Sequence, residues 1–193
     1  MIRCYVTDRR RGDLLSSVDT AIRDGVDMIQ IREKDLDARP LYELVCQVRD
    51  AAAGTSTRIL VNDRLDVALA ANIDGVHLPA NGLPAARVRS FVRFMGCSTH
   101  SLDEVLQAER DGADFVIFGP VFESPGKVPV GLEALRNVAL HAHIPVLAIG
   151  GITPEVIEEV IQAGAAGIAA IRMFQTGSPN RLVTSNDDQI DDR

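Results

Sequence analysis

The chain is poor in cysteine. Cys4, Cys46 and Cys97 are few, unevenly spaced and set mostly inside apolar runs. A disulfide framework or a zinc site of cysteine and histidine ligands needs a ligand spacing that is absent here. Buried thiols in a reducing compartment fit better, so a cytoplasmic protein is expected. No apolar stretch reaches the roughly 20 residues that a membrane-spanning helix needs. The first residues already form a strand-like run, so neither a secretory leader nor a membrane partner is expected. Positive charge is short as well: 20 Lys and Arg face 27 Asp and Glu, a net charge of -7. A general nucleic-acid binder shows a basic face to phosphates. Nucleic acid is therefore not an expected partner, and any phosphate must meet a local pocket. A Gly-x-Ser-x-Gly nucleophile elbow is missing too, and with it the usual sign of one class of hydrolase.

What is present points to one α/β domain. The 193 residues, 46% of them hydrophobic, suit a single sizeable core. Short β-branched apolar runs at 2–7, 28–32, 58–62, 75–78, 94–98, 115–118, 146–149 and 167–171 read as strands. Segments of helical period lie between them, at 14–24, 40–53, 102–110 and 154–163 among others. Ser101 and Thr153 look like N-caps, and Pro154 suits a first helical position. One junction recurs: Asp24-Gly25-Val26-Asp27, Asp111-Gly112-Ala113-Asp114 and Ala163-Gly164-Ala165-Ala166 each close a helix and open a strand. Glycine fits the left-handed position past a helix end, and Asn72 takes that part before Asp74-Gly75. Such repetition suits a doubly wound open sheet or a closed barrel, and eight strand runs favour a (β/α)8 TIM barrel. Residues 1–174 would form that barrel. It is short for the class, because 175–193 is polar and acidic with no helical apolar face. The eighth helix is expected to be truncated or missing, and the tail to be disordered. A neighbouring subunit supplying the last helix is one way to cover the gap, so a homo-oligomer stays open.

Barrel chemistry collects just after the strands. Alternation along Gln30-Ile31-Arg32-Glu33-Lys34 puts Gln30, Arg32 and Lys34 on one side, and two cations on one face suit a diphosphate; a solvated strand end with Glu33 as counter-ion is the other reading. In Asn62-Asp63-Arg64, Asp63 has the chemistry to hold Mg2+ shared with substrate phosphates, or to cap the next helix. His77 is a catalyst or a hydrogen-bonded core residue. Ser98 is a hydrogen-bond donor near His100. The loop 118–127 resembles a lid ending in Lys127. Gly150 and Gly151 free backbone amides for a phosphate, together with the end of the eighth strand around Arg172.

Taken in order, Gln-x-Arg-x-Lys, Asn-Asp-Arg, Asp-Gly-Val-His-Leu, Ser-Thr-His, Gly-Pro-Val-Phe and Ala-Ile-Gly-Gly-Ile resemble the thiamine-phosphate synthase and thiazole tautomerase family, from about Tyr5 to Met173. The resemblance implies a (β/α)8 barrel that joins a hydroxymethylpyrimidine diphosphate to a thiazole phosphate, a transferase of thiamine biosynthesis acting on small phosphorylated precursors. By position, Gln30, Arg32, Lys34, Asn62 and Lys127 would hold the pyrimidine diphosphate, and Asp63 would hold Mg2+. His77 and Ser98 would contact the pyrimidine, and Gly150 and Gly151 would receive the thiazole phosphate. Arg32, Lys34, Ser98 and Lys127 would be the catalytic set.

Departures from the family pattern keep two other readings open. The usual His-Leu-Gly-Gln-x-Asp is His77-Leu78-Pro79-Ala80-Asn81-Gly82, which drops a second carboxylate. Ser124-Pro125-Gly126-Lys127 drops a hydroxyl, and Arg172 replaces a common serine, either gripping the phosphate or blocking its site. One rival is a thiazole tautomerase, although that branch carries a histidine where Pro120 stands and lacks the aspartate matching Asp63. The other is a non-catalytic barrel that binds a thiamine precursor.

Overall fold

The structure, a computed structural model, describes residues 1–175. Eight parallel strands close on themselves in chain order. They are β1 (Ile2–Val6), β2 (Met28–Ile31), β3 (Arg58–Asn62), β4 (Gly75–Leu78), β5 (Phe94–Thr99), β6 (Phe115–Phe118), β7 (Val146–Ile149) and β8 (Gly167–Ala170). Closure comes from β1 pairing with β8, with Ile2 opposite Gly167 and Tyr5 opposite Ala170. Among the described residues the α-helices are α1 (Leu14–Arg23), α2 (Ala38–Ala51), α3 (Leu65–Ala71), α4 (Ala85–Val88), α5 (Leu102–Arg110), α6 (Gly131–His141) and α7 (Ile157–Gln162).

The two-residue period of the strands divides the core into two parts. Cys4, Val6, Met28, Leu60, Phe115, Ile117, Leu147 and Ala169 fill the barrel interior. Their neighbours Tyr5, Ile29, Ile31, Val61, Val76 and Ile168 face outward and pack with the helices. Phe94 stacks on Phe115 with ring centroids 5.2 Å apart, and the Arg58 guanidinium sits 4.3 Å over Phe94. Both Arg58 and Phe94 open their strands, so this stack plugs the N-terminal mouth and leaves the polar side chains to the other end.

Several local expectations shift. Asn72 is left-handed at φ 50°, and the Ser101 hydroxyl accepts the Glu104 N–H, as the sequence suggests. Thr153 gives no side-chain cap: it precedes a 3-10 turn over Pro154–Val156, and α7 starts only at Ile157. The helix there is shorter than the predicted 154–163. After β8 a 3-10 turn, Arg172–Phe174, stands where an eighth helix would begin. Phe174 packs its ring 5.8 Å from Tyr5, and Gln175 is buried, its amide donating to the Asp8 carbonyl at 3.1 Å. Gln175, the first residue of the expected tail, thus packs against the barrel. The disorder expected for the rest of the tail falls outside the described residues.

Candidate active site

At the C-terminal mouth, inward positions of β2, β3 and β4 meet. Gln30, 2% exposed, donates both amide hydrogens: one to Asn62 Oδ1 at 3.2 Å, the other to His77 Nδ1 at 2.8 Å. Nδ1 is thus an acceptor, which puts the ring proton on Nε2. That Nε2 is buried with no hydrogen-bond partner among the described residues. Burial, and secondarily the nearby Arg32 charge, push the His77 pKa down to about 3. Such an imidazole is neutral near pH 7, with Nδ1 accepting from Gln30 and its proton kept on Nε2.

Beside this triad, a cavity of about 230 Å³ is lined by Glu33, Lys34, Asn62, Asp63 and Arg64 together with Ile31, Leu36 and Leu41. Asp63 holds a left-handed φ of 65°, a conformation that a non-glycine residue adopts only where the surroundings fix it. Its N–H donates to the His77 carbonyl at 3.0 Å and its carboxylate stays exposed. It does not cap α3: the capping position is Arg64, with no side-chain cap bond. Gly82 lies under that carboxylate, since a Cβ there would stand 2.9 Å from Asp63 Oδ1. The position that would hold the family's second carboxylate is thus adjacent to Asp63, and it is vacant of any side chain.

Arg32 is half-buried and Lys34 exposed. Glu33 is not their counter-ion. It is buried and turns to β1, where it accepts the Thr7 hydroxyl at 2.6 Å and the Arg9 N–H at 3.1 and 3.2 Å. Sequence reasoning missed this network of Thr7, Arg9 and Glu33. Its signal in the sequence is polar Thr7-Asp8-Arg9 directly after β1, the strand-end position that carries the candidate residues of the other strands.

The loop after β6 is pinned at its root. His100 Nδ1 bonds the Gly119 carbonyl, Val121 N–H donates to Ile149 O at 2.8 Å, and Phe122 N–H donates to Gly150 O at 3.1 Å. Beyond the root the chain projects outward, with Lys127 exposed and Val128 87% exposed. The loop packs on the Gly150-Gly151 turn, where φ is 94° and 65°. Cβ atoms there would stand 2.3 Å from Pro120 Cβ and 2.6 Å from Phe122 Cβ. Glycine is thus demanded twice, by backbone conformation and by contact. Ser98 is partly exposed at the mouth end of β5. Arg172 is exposed on the turn after β8 and enters no ion pair among the described residues.

The fold and this mouth define a (β/α)8 barrel whose polar side chains gather at the C-terminal strand ends, the place where enzymes of this architecture work. Residues 4–174 match the family described as thiamine monophosphate synthase. The chain is similar to a "Putative thiamine-phosphate synthase" of Geobacter sulfurreducens, 44% identical over 86% of this chain and 83% of the relative. It is also similar to the "Thiamine-phosphate synthase" of Chloroflexus aurantiacus, 40% identical over 80% of this chain and 74% of that one. Among solved structures it superposes on "Thiamine phosphate pyrophosphorylase" from Pyrococcus furiosus with a TM-score of 0.85, at 36% identity, over 92% of this chain and 89% of that one. The chain belongs to the thiamine monophosphate synthase family. No helix among the described residues is long and apolar enough to cross a membrane.

Proposed function

We propose that this barrel is a transferase that joins a hydroxymethylpyrimidine diphosphate to a thiazole phosphate with loss of diphosphate. The observation that carries this reading is the clustering of neutral His77, Gln30 and Asn62 beside Arg32, Lys34 and Asp63 at one mouth. Gln30, itself held by His77, braces the partly exposed Asn62, whose amide offers a hydrogen-bonding edge to a heteroaromatic ring, and Ser98 lies at the same mouth. Arg32 and Lys34, with Lys127 on the β6 loop, offer positive charge to the diphosphate. Heterolysis of the carbon–oxygen bond leaves both electrons on the departing diphosphate, where these cations stabilise the developing charge. The thiazole nitrogen then donates its lone pair to the pyrimidine methylene carbon. Gly150 and Gly151 would receive the thiazole phosphate through backbone N–H groups, with Arg172 close along the chain to β8.

The donor set fits a magnesium ion shared with substrate. Asp63 is exposed at the mouth, and among the described residues no cluster of acidic, histidine or cysteine side chains forms a complete cage. Mg2+ commonly takes one or two carboxylates and fills its remaining positions with water and phosphate oxygens. When bound, it would neutralise diphosphate charge as the bond breaks. The relatives' names and the carboxylate of Asp63 support the synthase reading over a tautomerase or a non-catalytic barrel.

The test is diphosphate release on mixing the full chain with pyrimidine diphosphate, thiazole phosphate and Mg2+. Stoichiometric diphosphate and thiamine phosphate are expected. Aromatisation of a carboxylated thiazole phosphate without diphosphate release, or no turnover at all, would overturn the proposal.

A further inference from the structure

Glu33 is a buried carboxylate that the proposed chemistry does not use. In sequence it separates the cations Arg32 and Lys34, yet it is only 5% exposed and faces the other way, toward β1. The hydrogen bonds around it form one chain. Thr7, fully buried, donates its hydroxyl to Glu33 Oε1 at 2.6 Å and accepts the Arg32 N–H at 3.0 Å. The Arg9 N–H donates to both Glu33 oxygens, and its guanidinium lies 3.8 Å from Glu33 and 2.7 Å from Asp35. The Leu36 N–H closes the segment onto the Glu33 carbonyl at 3.2 Å.

Two consequences follow from the donor and acceptor inventory. A carboxylate only accepts, so the Thr7 proton must point at Glu33 and a Thr7 lone pair must receive Arg32. The direction of the hydroxyl is thereby fixed, and the backbone at Arg32 is tied to β1. The charge pairing matters as much. Both acids of the segment, Glu33 and Asp35, are engaged by Arg9, whereas Arg32 and Lys34 enter no ion pair among the described residues. Without Arg9, the two carboxylates adjoining Lys34 would be free to pair with the very cations meant for an anion.

We infer that Thr7, Glu33 and Arg9 are positioning residues that hold the Arg32–Lys34 segment rigid and draw its carboxylates away, leaving both cations unpaired for the diphosphate. They touch no substrate themselves. The role rests on the diphosphate reading given above. Its physical content is preorganisation: a segment already tied down and unpaired gives up less freedom, and breaks fewer ion pairs, when the anion arrives.

The test is calorimetric titration of the full chain with inorganic diphosphate in the presence of Mg2+, with thiazole phosphate titrated in parallel and thermal unfolding as a folding check. Thr7→Val keeps the side-chain shape and removes the hydroxyl; Thr7→Ser restores it. The expected result is diphosphate affinity lowered about tenfold in Thr7→Val and within about twofold of wild type in Thr7→Ser, with thiazole phosphate affinity unchanged in both. Arg9→Gln, a substitution at a half-exposed side chain, provides an independent variant should Thr7→Val fail to fold, and it too should weaken diphosphate alone. Unchanged diphosphate affinity in the folded variants, or equal loss of both ligands, overturns the positioning role. A wild-type chain that binds no diphosphate overturns the functional reading and the positioning role with it.

Discussion

The side-chain amide of Gln30 on β2 donates to His77 Nδ1 on β4 across 2.8 Å, joining residues 47 apart in sequence. The bond fixes the Nε2–H tautomer of a ring that burial keeps neutral. A protonated His77 would leave the Gln30 amide and the ring as two donors facing each other, so the same bond opposes protonation.

A dependence of stability on pH follows from that arrangement. The folded pKa, about 3, lies below the ordinary value of 6.5. Above that ordinary value both states are neutral and the full stability is present. As the pH falls below it, the unfolded chain takes up a proton that the folded chain refuses, and stability drops by up to about 1.4 kcal/mol per pH unit until the folded pKa is reached. Urea midpoints measured from about pH 7 to about pH 4 should fall more steeply for wild type than for His77→Asn. Parallel profiles would exclude His77 as the source.

Asp63 should couple metal to diphosphate. One carboxylate supplies a small part of an octahedral shell, so Mg2+ binding by the free protein should be weak and should strengthen when pyrimidine diphosphate is present. Calorimetry of Asp63→Asn should lose that coupling while thiazole phosphate binding persists. Gly82→Ala should reduce it too, because the added Cβ would stand 2.8 Å from Pro79 Cδ and 2.9 Å from Asp63 Oδ1, crowding the carboxylate against the loop. Tight Mg2+ binding without substrate, or coupling intact in Asp63→Asn, would move the metal role elsewhere.

Gly150→Ala should damage both stability and phosphate binding. Its φ of 94° disfavours any side chain, and the new methyl would meet Pro120 Cβ at 2.3 Å. A loss of about 1–3 kcal/mol is expected in chemical denaturation, the usual range for overpacking, with a raised KM for thiazole phosphate. Wild-type behaviour in both measurements would show that the turn and the β6 loop yield without consequence.

Arg172 sits after β8, without an ion-pair partner among the described residues. If it grips the thiazole phosphate, Arg172→Ala should raise KM for that substrate about tenfold and leave KM for the pyrimidine diphosphate near wild type. A lowered KM would instead mark Arg172 as an obstruction of the site.

The strands were legible in the sequence because a parallel barrel strand is a short apolar run between helices of regular period, a pattern intrinsic to the chain. Strand ends followed from the same pattern, which is why Gln30, Asn62, His77, Gly150 and Gly151 emerged as candidates. Which strand-end residues meet was decided only by closure and register. Gln30 reaches His77 because β2, β3 and β4 are adjacent and pleated in phase. The direction of Glu33, buried against Thr7 and Arg9 and not exposed between its cationic neighbours, depends on β1 lying beside β2. Gly82 beneath Asp63 and Pro120 against Gly150 bring together loops that have no period to read. Local sequence fixes the face a residue occupies through steric period; partners distant in sequence are chosen by packing of the closed barrel, which no local pattern encodes.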